Sequence, residues 1–262
     1  MPELPEVETV VRSLQPIAGR RILEARFFDK RVVIGSPSRI ARLLEGSLIR
    51  GLRRMGKHII MDLDDGRLLL IHLGMTGKLL VAGAPGPHTR ALFALDQGLV
   101  CYDDPRMFGR IELAAKLPPR ISRLGPEPLA ISAGEFCERL RSHRSAIKPL
   151  LLNQSFLRGM GNIYTDEALF RARIHPKAIA SRLSRERARR LHAAIVEVLT
   201  QAIESGGSSV SDYVDAEGRK GWFQFSHLVY QKTGEPCPRC QTPIRRILVA
   251  QRGTHYCPKC QR

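Results

Sequence analysis

Two Cys-x2-Cys knuckles near the C-terminus constrain this chain more than any other feature. Cys237-Pro-Arg-Cys240 and Cys257-Pro-Lys-Cys260 are separated by sixteen residues. Each knuckle sets two thiolates on one tight turn, and two knuckles complete a tetrahedral metal site. Four protein sulfurs leave no open position for water, so a single zinc ion here is expected to be structural, and the segment should fold only around it. A pair of disulfides is the alternative, and a cytoplasmic setting disfavours it. The other cysteines, Cys101 and Cys137, stand alone in apolar surroundings and read as inert buried thiols.

Basic side chains crowd the same region, at Arg239, Arg245, Arg246, Arg252, Lys259 and Arg262. The whole chain of 262 residues carries a formal charge of +17. That charge is uneven. Residues 1–115 hold 17 basic and 13 acidic side chains, a net of +4, whereas residues 116–262 hold 25 and 12, a net of +13. An excess of this size implies a polyanionic partner, although charge alone does not separate DNA from RNA or acidic lipid. No apolar run reaches the length of a membrane span, and the acidic opening segment is not a signal peptide. The expected location is the cytoplasm, or the nucleoid within it.

Periodicity divides the chain. Leu4, Val7, Val10, Val11 and Leu14 recur at helical spacing, which predicts an amphipathic helix at the start. Short strand-like runs follow at 22–28, 31–34, 58–63, 67–73, 92–95, 99–102 and 110–113, which suggests an antiparallel sandwich or barrel. Five prolines and glycines within 116–129 read as a linker. Helical periods then predict helices at 133–141, 146–152, 163–171 and 185–204. The aperiodic stretch 205–224 is long enough to be functional or mobile. The organisation expected is α+β and multi-domain: residues 1–115 with a helix and sandwich, a linker 116–130, a helical domain 131–228, and a zinc module 229–262. No coiled coil is visible, so a monomer is expected.

The opening Met1-Pro2-Glu3-Leu4-Pro5-Glu6 is chemically unusual. Loss of Met1 would leave Pro2 a free secondary amine. An α-amino group has a low pKa for an amine, near 8, and the positive end of the following helix lowers it further. A neutral amine of this kind can attack a sugar carbon and form an iminium, with Glu3 and Glu6 close by to move protons. Alone, the segment reads equally as a proline and two glutamates that start a helix well.

Further motifs decide between these. Gly56-Lys57, His72-Leu-Gly-Met75, Asp104-Pro-Arg-Met-Phe-Gly109, Leu124-Gly-Pro-Glu-Pro-Leu129, Gly159-Met-Gly-Asn-Ile-Tyr164, the zinc knuckles and Gln251-Arg252 follow in order along the chain. In this the sequence resembles the formamidopyrimidine-DNA glycosylase family from end to end. The resemblance implies an N-terminal helix with an antiparallel β-sandwich, then a helix–two-turn–helix domain and a zinc finger. It implies excision of oxidised purines from double-stranded DNA, followed by cleavage at the abasic site. Pro2 would be the nucleophile and Glu3 the general acid, with Glu6 in support. Lys57 would hold phosphate and assist β-elimination, and Arg252 would do so for δ-elimination. Asn162, beside the amides of residues 159–161, would bind a backbone phosphate. Met75, Arg106 and Phe108 would fill the gap left by an everted nucleotide, while His88 and His143 would touch DNA. The segment 208–224 would cover the everted base.

Three positions depart from the pattern. Met107 stands where a second basic residue is usual, His143 where Lys is common, and Trp222 where Tyr is common. An endonuclease VIII-like enzyme for oxidised pyrimidines shares Pro2, Glu3, Lys57 and the finger, but the blocks at 72–75 and 104–109 favour the purine branch. A non-catalytic damage-binding protein on the same scaffold would be expected to have lost Pro2, Glu3 or Lys57, and all three are present.

Overall fold

The computed structural model describes every residue except Ala82 and Ser211, and the latter falls inside the expected covering segment. The chain forms two compact units. One comprises Met1–Ser122 and Ser205–Gln224, the other Arg123–Glu204 and Phe225–Arg262.

The first unit starts with helix α1 (Leu4–Ser13). Glu3 caps it, Pro5 occupies the first turn, and Val7, Val10 and Val11 point into the core. Then come β1 (Ile22–Phe27), β2 (Val33–Ile34), helix α2 (Pro37–Leu44), β3 (Ile49–Met55), β4 (His58–Leu63), β5 (Leu68–His72), β6 (Lys78–Val81), β7 (Thr89–Leu95), β8 (Leu99–Asp103), β9 (Arg110–Ala114) and the single turn α3 (Pro119–Ser122). The strands build two sheets, in the orders β1-β7-β8-β6 and β2-β9-β5-β4-β3. Alternation places Ile59, Met61 and Leu63 of β4, Leu69 and Ile71 of β5, and Phe93 and Leu95 of β7 in one shared core. Each such buried aliphatic side chain contributes roughly 1.5–3 kcal/mol.

The sandwich is not wholly antiparallel, since β2 runs parallel to β9 through Val33↔Ile111 and Ile34↔Glu112. Strand β3 was not foreseen because Arg50, Arg53 and Arg54 interrupt its pattern and its register shifts between Ile49 and Gly51. Strand β6 is too short to show a period. Helix α2 carries a readable start, a Ser36 side chain accepting from Arg39 N–H and Pro37 at the first position, but only two of its residues are buried.

The stretch 205–224 belongs to the first unit, whereas its sequence neighbours suggested the helical domain. Tyr213 enters the sandwich core and its hydroxyl donates to the Glu6 carbonyl at 3.2 Å. Ala216 N–H donates to Ser13 Oγ at 3.0 Å, and Val81 N–H to the Ala216 carbonyl at 2.8 Å. The segment closes on itself as Trp222 N–H meets the Ser205 carbonyl and Phe223 N–H the Gly207 carbonyl. Its described residues therefore form an Ω-type loop held by hydrogen bonds rather than a loose tether. Gly221 permits the closure, because a Cβ there would lie 2.2 Å from the Gly207 carbonyl oxygen.

The second unit contains α4 (Ala133–Arg141), α5 (Ile147–Leu152), α6 (Asn162–Arg171), α7 (Arg185–Glu204) and a hairpin of β10 (Arg245–Val249) and β11 (Arg252–Tyr256). Helix α7 buries Leu191, Ile195, Val198, Leu199 and Ala202, and packs on α4 and α6. Helix α6 carries two fully buried acids. Asp166 pairs with the equally buried Lys148 of α5 at 2.6 Å and accepts the His255 N–H of β11 at 2.8 Å. Glu167 accepts the N–H groups of Leu228, Val229 and Tyr230 at 2.9–3.0 Å. Burial pushes the Glu167 carboxyl up, and these three donors oppose the shift. No helix among the described residues is long and apolar enough to cross a membrane.

His58 and His72 face each other across β4 and β5, with ring centroids 4.9 Å apart. Burial, then the nearby charges of His58, Lys57 and Arg110, lowers His72 to about 4, and burial also lowers His58. The unfolded chain thus binds more protons than the folded one between pH 6.5 and about 4. The histidine contribution to stability against urea should fall as pH drops through that window, and His72→Gln should flatten the dependence there.

Candidate active site and nucleic-acid interface

The N-terminus of α1 is assembled from buried groups. Pro2 and Glu3 are buried, while Met1 is half exposed. With Met1 attached, the Pro2 nitrogen is an amide. Glu3 and Glu6 form a reciprocal capping box, in which Glu3 N–H donates to Glu6 Oε2 at 2.8 Å. The other Glu6 oxygen accepts the Ser208 N–H of the Ω loop, also at 2.8 Å. One carboxylate therefore joins the start of the chain to residue 208.

Lys57 lies in the two-residue turn between β3 and β4, where Met55 pairs with His58. Gly56 has φ +58°, as a type II′ turn requires at its first central residue. Lys57 is only 8% exposed. Arg54, half-buried, reaches from β3 to Glu8 of α1 (Nε to Oε2, 2.9 Å) and to the Gly56 carbonyl (Nη1, 3.1 Å). The structure thus fastens the Lys57 turn to the helix that begins beside Pro2.

Met75 and Phe108 are two large apolar side chains left exposed, at 44% and 50%. Their loops abut, since a Cβ on Gly74 (φ +62°) would come within 2.5 Å of the Phe108–Gly109 backbone. Buried Asp104 organises them by accepting from Thr76 Oγ1 (2.6 Å), Tyr102 OH (3.1 Å) and Gly109 N–H (2.9 Å). Exposed Arg106 lies with its guanidinium carbon 4.7 Å from the Phe108 ring centre. His88 is exposed, and its carbonyl accepts the Asp104 N–H. Met107 packs against the sandwich core, an apolar use of a position where a phosphate-binding cation was considered.

In the second unit, Gly161 caps α6, and Asn162 instead donates from Nδ2 to the Gly253 carbonyl of β11 at 3.0 Å. Gly159 N–H turns inward to Gln154 Oε1 at 2.8 Å, so it is not among the amides open to an anion. His143 is half buried, with Nδ1 2.8 Å from the Arg139 carbonyl and its ring against Phe156. Arg252 is exposed at the start of β11, behind a two-residue turn in which Ala250 (φ +48°) and Gln251 (φ +60°) are both left-handed. Such turns normally carry Asn and Gly, so the hairpin tip is strained.

The four knuckle sulfurs lie within 4.8 Å of one another, with Cys240–Cys257 at 3.5 Å and Cys237–Cys260 at 3.9 Å. A zinc ion with bonds of about 2.3 Å would hold tetrahedral sulfurs roughly 3.8 Å apart. The residues present fit one structural zinc. Sequence reasoning missed Arg54, Asp104, Tyr213, Asp166 and Glu167. Each acts through a partner distant in sequence, and only the acidic side chains within apolar runs gave any warning.

The domains and their order define a class, the helix–two-turn–helix DNA glycosylases with a zinc finger. Residues 1–111 match the formamidopyrimidine-DNA glycosylase N-terminal domain, 124–214 the H2TH domain of the same enzymes, and 234–262 the zinc finger found in FPG and IleRS. The formamidopyrimidine-DNA glycosylase of Solibacter usitatus is 57% identical over the full length of both chains. That of Symbiobacterium thermophilum is 44% identical across all of this chain and 89% of its own. Among solved structures, the MutM (Fpg) protein of Thermus thermophilus superposes with a TM-score of 0.90 at 43% identity, covering 99% and 98% of the two chains. Lactococcus lactis Fpg in complex with abasic-site DNA gives 0.92 at 40% identity and 99% coverage of each. The chain belongs to the formamidopyrimidine-DNA glycosylase family.

Replacing Arg54 by Met should leave Glu8 with Arg12 alone and free the Lys57 turn. Removing one partner of this partly buried pair costs of order 1–2 kcal/mol. Strand-cleavage kcat should fall more than tenfold while zinc content stays stoichiometric, as read by single-turnover kinetics and metal analysis. Chelation of zinc should abolish protection of the β10–β11 amides in hydrogen exchange and leave the sandwich strands protected.

Proposed function

We propose that this enzyme removes oxidised purines, 8-oxoguanine and formamidopyrimidines, from double-stranded DNA and then cleaves the backbone at the resulting abasic site. The observation that carries this reading is the N-terminus of α1, where buried Pro2 and Glu3 precede a helix capped by Glu6. Removal of Met1 generates a secondary amine at the positive end of that helix, whose field favours the neutral, nucleophilic form. The Pro2 nitrogen attacks C1′ of the everted nucleotide, the glycosidic bond breaks, and its electron pair leaves with the base, which takes up the proton released by the nitrogen. The C1′–O4′ bond then breaks as Glu3 protonates O4′, and the nitrogen lone pair forms the C1′=N iminium of the opened sugar. The iminium that remains acidifies the C2′ protons, and loss of one expels the 3′ phosphate. Lys57 holds phosphate during this step, and Arg252 acts in the second elimination.

Met75 and Phe108 act as the apolar wedge, with Arg106 bonding the orphaned base opposite. His88, His143 and Asn162 contact the backbone, and the Ω loop covers the everted base. The exposure of Met75 and Phe108 on loops braced by Asp104 supports this reading, because side chains meant for the core would not be held outward. Acting on the chromosome as a monomer places the enzyme in the bacterial cytoplasm, at the nucleoid.

Borohydride reduction on duplex DNA with one 8-oxoguanine opposite cytosine tests the mechanism. Processed, zinc-replete enzyme should give a covalent adduct that Pro2→Gly loses. A dihydrouracil duplex run in parallel should trap at least tenfold less. Trapping mainly on dihydrouracil would move the chain to the pyrimidine branch, and trapping on neither would end the glycosylase reading.

A further inference from the structure

A second basic feature lies in the second unit, away from the turn that opens α6. At the C-terminal end of that helix is a cavity of about 490 Å³. Arg173, Arg187, Arg190, Arg239, Lys259 and Arg262 line it beside Cys240 and Cys260. The ten residues of α6 separate it from Asn162 by roughly 15 Å.

Part of this charge has a structural use. Arg239 donates to the carbonyls of Phe170 and Arg171 at 3.0 and 3.3 Å, and Arg190 to that of Ala172 at 2.8 Å, which satisfies the end of α6. Arg187 donates to a terminal carboxylate oxygen of Arg262. The carboxylates at hand are Glu186, 3.3 Å from Arg190, and Glu197, which pairs with Arg171 in the adjoining hollow. Among the described residues no side-chain carboxylate pairs with Arg173, Arg187, Arg239, Lys259 or Arg262. A zinc tetrathiolate carries a formal charge of roughly −2 and a helix end about −0.5, so with Glu186 and the terminal carboxylate of Arg262 an excess of roughly one to two positive charges remains. Holding like charges together costs stability unless an anion joins them.

The chemistry of the lining selects the anion. Five of the six cations are guanidiniums, whose planar donor forks match phosphate oxygens. No aromatic or large aliphatic side chain lines the cavity, although such anchors are what protein partners usually require. We propose that this cavity is a second phosphate-binding site, which takes the backbone of a nucleic-acid strand other than the one held at α6. The choice of a nucleic acid rests on the proposed function. With both sites filled, one enzyme molecule holds two DNA segments and can pass between them without release into solution.

The test uses the zinc-replete enzyme bound to an immobilised duplex with a non-cleavable abasic-site analogue, to which a fluorescent undamaged duplex is added. The capture constant is measured between roughly 50 and 200 mM salt. Arg173→Gln/Arg187→Gln should weaken capture about tenfold and reduce the salt slope by about 2. Arg39→Gln/Arg42→Gln on α2, which removes equal charge from an exposed face, should change capture less than twofold. Single-turnover excision should be unaltered in both variants. Unchanged capture in the cavity variant, equal loss in the control, or loss of excision in step with capture would each overturn the proposal. Binding of inorganic tripolyphosphate without duplex capture would overturn the strand assignment, as would equal affinity for polyglutamate. Capture is read without catalysis, so failure of the glycosylase reading would appear separately, as an absence of excision.

Discussion

A carboxylate taken out of water must be met by donors, and this constraint organises both units. Glu6, Asp104, Asp166 and Glu167 are all buried. Each accepts at least one backbone N–H: Glu3 and Ser208 for Glu6, Gly109 for Asp104 beside the Thr76 and Tyr102 hydroxyls, His255 for Asp166 beside the Lys148 ammonium, and residues 228–230 for Glu167. An unmet buried carboxylate costs several kcal/mol, so each specifies one arrangement of loops that the apolar core alone would leave adjustable. The sandwich and the helix pair provide rigid bodies. The buried acids decide how the functional loops attach to them.

The same loops hold the least relaxed backbone. Met107 (φ +56°) sits between Arg106 and Phe108, and Ala250 and Gln251 form the tip before Arg252. Left-handed conformations at ordinary residues cost of order 1–3 kcal/mol each and persist where the surroundings over-determine them. Asp104 does so for the first loop and the β10–β11 ladder for the second. Two of the loops proposed to meet DNA are therefore strained, and the same conformation recurs at Arg173, Gln231 and Gln241.

Much of this was readable in the sequence. Helices α1 and α7 showed clear apolar stripes, α4 and α6 a helical period, and the knuckles their spacing, because these signals are local. Strand β3 was hidden by its arginines, one of which, Arg54, turns out to be an internal strut. The allegiance of residues 205–224 was hidden for a different reason. It depends on Tyr213 and Ala216 meeting α1 some two hundred residues away, and nothing in the local pattern encodes that meeting. Individual chemistry-bearing residues were legible as motifs, but their supports were not, since a support is defined by what it touches.

Glu6 has a consequence that belongs to thermodynamic linkage. Its two oxygens serve Glu3 N–H at one end of the chain and Ser208 N–H of the Ω loop. A free energy shared through one group is reciprocal. Whatever steadies the loop steadies the cap of α1 by the same amount, and whatever frays the cap loosens the loop. The Ω loop and the first turn of the protein are therefore not separate parts that can be tuned independently. They are two readings of one equilibrium, and selection on either acts on both.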